Sequence, residues 1–449
     1  MRLLHTTNFE FRESYDEEWL FGRSDTRWWL RISLDRDSWE DEGWNWTEPA
    51  ASYAILSHTW GEKEVSFKDF NKKRRLYTSG IEFQHAFQNE KTKEPGFWKI
   101  VQACLLAWKQ DQQWIWIDTC CIDKRSSSEL SEAINSMMAW YSKATVCYAY
   151  LADVIYHDKM HESRWHTRGW CLQELLAPRM MYFFDHDWNE IGERGDLRTA
   201  IVDATGIDEK FLPAPGQDRS FPWRRACIAN KMSWMARRRT TRVEDMAYCI
   251  LGIFGINMPL LYGEGQKAFH RLQLEILRQS DDESLFAWNP YTDYSYYGLL
   301  APHVHLFRLG GSIQSGRQFG PFAVNRRPYQ MTNRGLEFTF LRGMPVGGSD
   351  SSATEGELSV EVGLDCYRLK SPENRDVQSV DHRNCADQSN FDRVFITIDK
   401  SPGYPWHRNH DHIHTHGVDY PLGWVKGEPY PEEQGRGQQT TVYIRGEYE

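Results

Sequence analysis

Short, nearly continuous apolar runs alternate with helical stripes through the middle of the chain. Tyr53-Ala-Ile-Leu-Ser57, Trp114-Ile-Trp-Ile117, Val146-Cys-Tyr-Ala-Tyr-Leu151 and Met180-Met-Tyr-Phe-Phe184 lack the polar alternation of a half-exposed strand. Such runs predict strands buried on both faces. Between the first two, Phe97, Ile100, Val101, Cys104, Leu105 and Trp108 fall on one helical face, with Pro95 near the start. Ser126-Ser-Ser-Glu129 has the form of a capping box. Leu130, Ile134, Met137, Met138 and Tyr141 make the stripe behind it. A third helix is expected over about 167–176, stopped by Pro178. The order β-α-β-α-β-α-β predicts an α/β fold with a parallel sheet covered by helices on both sides.

From about 205 to 280 the pattern is helical. Thr241-Arg-Val-Glu244 reads as a second capping box, opening a helix that ends near Gly255. Ala268, Phe269, Leu272, Ile276 and Leu277 mark another helix. Beyond about 290 the period becomes two. Leu336/Phe338/Phe340, Leu358/Val360/Val362/Leu364 and Val394/Ile396/Ile398 alternate as antiparallel strands do. The expected organisation is an N-terminal segment over 1–52, an α/β domain with a helical extension over 53–290, and a β-rich C-terminal domain over 291–449. Residues 11–52, rich in Trp, Asp, Glu and Arg and without a period, read as a surface insertion.

Composition narrows the function classes. A chain of 449 residues suits two or three domains at roughly 150 residues each. Its net charge of −10 disfavours broad non-specific nucleic-acid binding, which runs on a positive field, and leaves room for a local basic patch. Twenty Trp are too many for the deep core alone, so some are expected in a pocket or an interface. No run reaches the ~18 apolar residues of a membrane span, and no secretory signal opens the chain. Nine Cys without a Cys-x-x-Cys pair, and Cys120 beside Cys121, point to a reduced, cytoplasmic protein.

In an open parallel sheet, ligands bind beyond the carboxyl ends of the strands. Ser57, His58 and Trp60 follow the first strand, and Asp118, Cys120, Cys121 and Asp123 the second. Asp153 follows the third, and Asp185, His186 and Asp187 the fourth. They are either a site or polar loop ends that cap the next helices. Trp170 and Glu174 are i, i+4 neighbours in Arg168-Gly-Trp-Cys-Leu-Gln-Glu-Leu175, which sets a carboxylate beside an indole. Partial desolvation there raises a carboxylate's pKa and suits it to proton transfer or to steadying a cation. The other reading is an exposed Glu on a helix margin. A Cys/His nucleophile would draw on Cys121 or Cys171 with His58 or His186, although apolar neighbours suggest buried, inert thiols. His407 to His416 hold five of the sixteen His; if extended, His410, His412, His414 and His416 share one face, as a metal site or as a solvated loop. Arg237-Arg-Arg-Thr-Thr-Arg242 is either an anion site or a patch paired with Glu244 and Asp245. Gly263-Glu-Gly265 is too short for a phosphate loop.

Ala54-Ile-Leu-Ser-His-Thr-Trp-Gly61, Trp116-Ile-Asp-Thr-Cys-Cys-Ile-Asp123 and Arg168-Gly-Trp-Cys-Leu-Gln-Glu174 together resemble the three signature blocks of the fungal heterokaryon incompatibility (HET) domain. Met1-Arg-Leu-Leu-His-Thr-Thr7 and the stretch from Arg239 through Gly265 resemble it as well, so the likeness covers about 1–10 and 53–290. The Trp-rich stretch 11–52 departs from the pattern. The resemblance implies a filamentous fungus, non-self recognition and programmed cell death. Receptor-type members add a nucleotide-binding module and WD repeats; neither a P-loop nor such repeats occurs in this sequence.

HET domains in turn look like relatives of TIR domains, which have a flavodoxin-like sheet. Leu56-Ser-His-Thr-Trp-Gly-Glu62 and Trp170-Cys-Leu-Gln-Glu-Leu175 are similar to two plant TIR blocks. In TIR enzymes the glutamate of the second block cleaves NAD+ at the nicotinamide–ribose bond. By that match Glu174 is the expected catalytic carboxylate. Trp60 or Trp170 would stack on a base, Arg168 would meet the pyrophosphate, and Ser57, Asp118, His58 and Asp123 would complete the NAD+ contacts. NAD+ is then substrate, with no cofactor or metal required. The other class implied is a non-catalytic module that self-associates or recruits an incompatibility partner.

Overall fold

The computed structural model describes residues 1–13, 52–74, 94–217, 221–289 and 299–315 with their side chains. It describes six further strands between 330 and 444 as backbone. In chain order the elements are β1 (Arg2–His5), β2 (Phe11–Glu13), β3 (Tyr53–His58), α1 (Phe67–Arg74), α2 (Pro95–Lys109), β4 (Trp114–Trp116), α3 (Asp118–Cys121), α4 (Ser127–Lys143) and β5 (Val146–Tyr150). They continue with α5 (Cys171–Leu176), β6 (Met181–Phe184), β7 (Glu190–Glu193), α6 (Arg198–Thr205), α7 (Ile228–Ala236), α8 (Asp245–Tyr248), α9 (Leu251–Phe254) and α10 (Lys267–Gln279). Two 3-10 turns, His157–Glu162 and Arg164–Thr167, precede α5. The chain divides into two compact units, one of Met1–Arg225 with Arg238–Gly265, the other of Ala226–Arg237 with Gln266–Glu449.

The first unit holds a seven-stranded sheet in the order β2-β1-β4-β3-β5-β6-β7. β4, β3, β5 and β6 are parallel. All six residues of β3 and all five of β5 are buried, as strands covered on both faces require. The sheet as a whole is mixed, which corrects the expectation of a purely parallel one. β1 joins β4 antiparallel, β2 joins β1, and β7 folds back on β6. Phe11–Glu13 therefore belong to the sheet edge; residues 14–51, the rest of the expected insertion, lie outside the described residues.

Ser126 caps α4 through the amide of Glu129, one half of the expected capping box; the Glu129 carboxylate turns instead to the Asp123 amide and Arg2. Tyr53 Oη donates to the Trp140 carbonyl at 2.7 Å and Tyr141 Oη to the Leu56 carbonyl at 3.0 Å, which fastens α4 across β3. On α2 the buried face is Phe97, Ile100, Val101, Ala103, Cys104 and Ala107, with Lys99 also buried, whereas Trp108 is 55% exposed. The expected stripe thus lay partly off the true face. The helix expected over 241–255 is two short helices, α8 and α9. They break at Ile250 (φ −116°, ψ 3°), and Gly255 (φ 67°) ends α9 in the left-handed region.

Gly252 lies where a Cβ would stand 2.2 Å from Met138 Cβ on α4. That contact is with the root of a side chain and cannot be relieved by a rotamer change. Gly252→Ala is expected to destabilise the first unit by about 1–3 kcal/mol, read as a lower denaturation midpoint at unchanged cooperativity.

In the second unit α10 buries Ala268, Phe269, Leu272, Ile276 and Leu277, the face its sequence predicts. Asn230 on α7 donates to the carbonyls of Gly310, Gly311 and Ile313. β8 (Ile313–Ser315), β9 (Gln330–Thr332), β10 (Gly335–Pro345), β11 (Leu358–Leu369), β12 (Phe391–Lys400), β13 (His407–Gly417) and β14 (Gln439–Ile444) pair antiparallel, with β13 at one edge. The register of β13 shifts opposite Ile396/Thr397, where Asn409 and Ile413 face consecutive residues of β12. The side chains of His410, His412, His414 and His416 lie outside the described residues.

Candidate functional site

After β3 the chain crosses to β4 on one side, then to β5 on the other. The crevice beyond the carboxyl ends of β3 and β5 is therefore the switch point of the sheet. Ser57 and His58 end β3 there, in register with Ala149 and Tyr150. The short turn that opens α3 brings Asp118 to the same edge, and α5 brings Glu174.

Glu174 is 8% exposed. Its Oε2 accepts a 2.5 Å hydrogen bond from Ser57 Oγ, which itself accepts from Trp165 Nε1 at 2.8 Å. The indole occupies the serine's acceptor side and so turns its hydroxyl proton toward the carboxylate. Burial pushes Glu174 up to about 7, opposed by the Ser57 bond; the charge of Asp118 adds to the rise, and Arg168 and the Cys171 thiol oppose it. The result is a carboxylate that exchanges its proton near neutral pH in a dry position, suited to proton transfer or to steadying an adjacent cation.

On the other flank Asp118 Oδ2 accepts from Trp60 Nε1 at 2.8 Å, with Lys124 Nζ 3.5 Å away. Burial would raise Asp118, but Lys124, His58, the Trp60 N–H and Lys99 together hold it below the ordinary value. Lys124 Nζ lies 3.3 Å from the centre of the Trp60 ring and Arg168 Cζ 5.9 Å from it. Trp60 is 38% exposed, so this indole, flanked by two cations, is open to solvent. Lys99 is buried against Glu64. His58 Nε2 stands 3.6 Å from Asp118 Oδ1, and burial, reinforced by Lys99, pushes the ring down to about 4.

Of the residues expected at the site, Ser57, His58, Trp60, Asp118, Arg168 and Glu174 are brought together. Asp123 is engaged instead by Arg125 at 2.7 and 2.9 Å. The Trp170 indole turns to Asp245 at 3.4 Å, and the indole that serves Glu174 is Trp165. Asp153 accepts from Ser163 Oγ and the Arg164 amide and so fixes the turn that carries Trp165. Asp185 binds the turn amides of Asp187 and Asn189, and His186 pairs with the exposed Asp187. The Cys171 thiol is buried and pushed well above its usual value, unsuited to a nucleophile. Arg238 is buried and donates to the Arg168 carbonyl, while Arg242 lies over the Tyr262 ring, so the 237–242 run presents no single patch. The amides of Gly263 and Gly265 are taken by the Glu244 carboxylate. No group of three or more metal-binding side chains occurs among the described residues. None of their helices is long and apolar enough to cross a membrane.

Sequence reading missed Trp165, Lys99 and Glu64. The only local signal was Trp165 itself, a bulky aromatic between Ser163 and the signature block.

A family model described as heterokaryon incompatibility protein (HET) matches residues 53–158, from β3 past β5. A second, described as a domain of unknown function (DUF8212), matches residues 267–304. The vegetative incompatibility protein HET-E-1 of Podospora anserina is 41% identical over 238 residues, which cover 50% of this chain and 16% of that protein. The chain thus spans well under a fifth of that relative. No solved structure matches. With three signature blocks at one sheet edge, a family match over β3, β4 and β5 and a 238-residue stretch 41% identical to an incompatibility protein, residues 53–158 of this chain are similar to the HET domain family.

Proposed function

We propose that the protein acts in vegetative incompatibility, as a cytoplasmic trigger of cell death, and that its HET domain cleaves NAD+ at the nicotinamide–ribose bond in the manner of TIR enzymes. The observation that carries this reading is Glu174, a buried carboxylate oriented by Ser57 and Trp165 at the switch point of the sheet. The order β4-β3-β5-β6 of the parallel strands, that of a flavodoxin-like sheet, supports it. Breaking the N-glycosidic bond builds positive charge on the ribose, and a carboxylate held against the sugar stabilises that charge. Trp60 offers an exposed face for a base, while Arg168 and Lys124 beside it supply charge for the pyrophosphate. Asp118 is placed to accept from ribose hydroxyls.

The test is NAD+ consumption by the concentrated full chain beside a Glu174→Ala control. Nicotinamide release that the substitution abolishes is expected. Equal release by both proteins removes Glu174 from the chemistry.

A second reading, a non-catalytic module that works by self-association, draws on one observation. Glu174 is almost closed to solvent and already hydrogen-bonded, as a structural carboxylate would be. A folded, assembled sample without NAD+ turnover, whose sedimentation shows a defined oligomer, would select this reading.

A further inference from the structure

His58 closes β3 with its ring buried, 4% exposed, and neither Nδ1 nor Nε2 has a hydrogen-bond partner. A buried polar group left unmet costs on the order of 1–3 kcal/mol, and native proteins keep few of them without a reason. The charged groups facing the ring do not supply the missing bonds. Asp118 Oδ1, at 3.6 Å, is beyond hydrogen-bond range of Nε2. Lys99, Glu64 and Lys124 act on the ring through their charge. Lys99 is committed to Glu64, whose Oε2 is itself buried and unpartnered. A neutral imidazole offers one donor and one acceptor. Beside a second orphaned acceptor and Asp118, it is equipped to hold a single water away from bulk solvent.

Placement gives that water a use. Successive residues of a strand point to opposite faces, so Ser57 steadies Glu174 on one side of the strand end and His58 serves the other. Both residues end β3 at the edge where a switch point places a ligand. We propose that His58 is the base of the second half of NAD+ cleavage, taking a proton from the water that attacks the ribose C1′; the assignment rests on Glu174 being the carboxylate that faces that ribose. The N-glycosidic bond breaks with its electron pair leaving on nicotinamide, which departs neutral. The water oxygen bonds to C1′, one of its protons passes to His58 and from there to solvent, and ADP-ribose remains. Nothing is oxidised or reduced, and Glu174 stays a carboxylate throughout. Burial, Lys99 and Lys124 oppose the imidazolium while Asp118 and Glu64 favour it, so it gives up the proton quickly.

Water must lose a proton when it attacks, whereas a pyridine base has none to lose. The experiment therefore compares the full chain with His58→Gln in two reactions: hydrolysis of NAD+, and exchange of nicotinamide for added acetylpyridine. The ratio of hydrolysis to exchange is expected to fall about a hundredfold, whatever His58→Gln does to binding. Equal loss in both reactions, or hydrolysis left intact, overturns the role of His58. Activity retained by a Glu174→Gln control, or none in the parent, instead overturns the reading of the site and the role of His58 with it. A second measurement needs no turnover. Adding ADP-ribose to protein with isotope-labelled histidine should shift the ring resonances of His58, and binding that leaves them unmoved counts against the assignment.

Discussion

Glu174→Gln should abolish NAD+ cleavage and, in the same protein, stabilise the fold above about neutral pH. The rate loss is expected on the order of a thousandfold, since the amide carries no charge to set against the ribosyl cation. The gain in stability follows from burial. The folded-state value of Glu174 is about 7 against an ordinary 4.5. Between those two pH values the folded protein holds a proton that the unfolded chain has released. Stability therefore falls as pH rises through the window, and the loss is complete above it. At roughly 1.4 kcal/mol per pH unit, the penalty is about 3 kcal/mol. Glutamine keeps the volume and still accepts from Ser57, but cannot ionise. Denaturant midpoints of parent and variant should coincide near about pH 4 and separate, variant above parent, by about pH 8. A variant less stable than the parent at both values would show a carboxylate retained for structure, the outcome the signalling reading requires.

A carboxylate that weakens its own fold at working pH is what a reacting group looks like in free-energy terms. Two carboxylates of this unit behave in the opposite sense, whereas Asp245, bonded by Tyr262 and Trp170, is raised by burial as Glu174 is. Asp185, fixed by turn amides and His157, and Glu244, fixed by the amides of Gly263 and Gly265, are both held below their ordinary values. Their charge is stabilised by the bonds they make, and they shape loops. Glu174 is driven the other way by burial, and its place at the switch point separates it from Asp245.

Why Glu174 was legible from sequence, and Trp165 and Lys99 were not, follows from what a linear pattern contains. The four parallel strands are continuous apolar runs because both faces are covered, so their ends, and the residues beyond them, can be counted off directly. That places Ser57, His58 and Asp118 on one edge from the sequence; Glu174 was legible only through its spacing to Trp170 and the resemblance of its block. The antiparallel margins carry no such mark. β7 is Glu-Ile-Gly-Glu, and β1 pairs with a strand more than a hundred residues away. Lys99 falls on the polar side of the α2 stripe by composition, yet is buried because Glu64 meets it there. The Thr241 to Glu244 run failed as a helix start for a related reason. The Glu244 side chain is drawn to the amides of Gly263 and Gly265, a long-range demand that local capping rules do not see. Trp170 sits at helical spacing from Glu174, but Asp245 takes its N–H, and the indole that counts lies in a 3-10 turn held by Asp153.

Ser57→Ala should produce a loss of activity that alkali restores, which distinguishes orientation of the carboxylate from its removal. Ser57 gives Glu174 a hydrogen bond that favours the charged form. Bonds to charged groups are worth about 1.5–3 kcal/mol, so their loss raises the carboxyl by roughly one to two pH units. A group half ionised near about pH 7 would then be ionised to roughly a tenth or a hundredth, and turnover there should drop about 5- to 50-fold. Near about pH 9 the carboxylate re-forms and most of the rate returns, whereas Glu174→Gln stays silent throughout. Stability must follow the same sign. A further raised folded value widens the window in which the folded state holds the extra proton, so Ser57→Ala should be destabilised more at high pH than at low. Trp165→Phe probes the next link, because it removes the indole donor and leaves the serine hydroxyl free to turn away. Its pH profile should move in the same direction by a smaller amount. A Ser57→Ala profile shifted toward acid, or flat at all pH, would mean that Glu174 is not the group whose ionisation the activity follows.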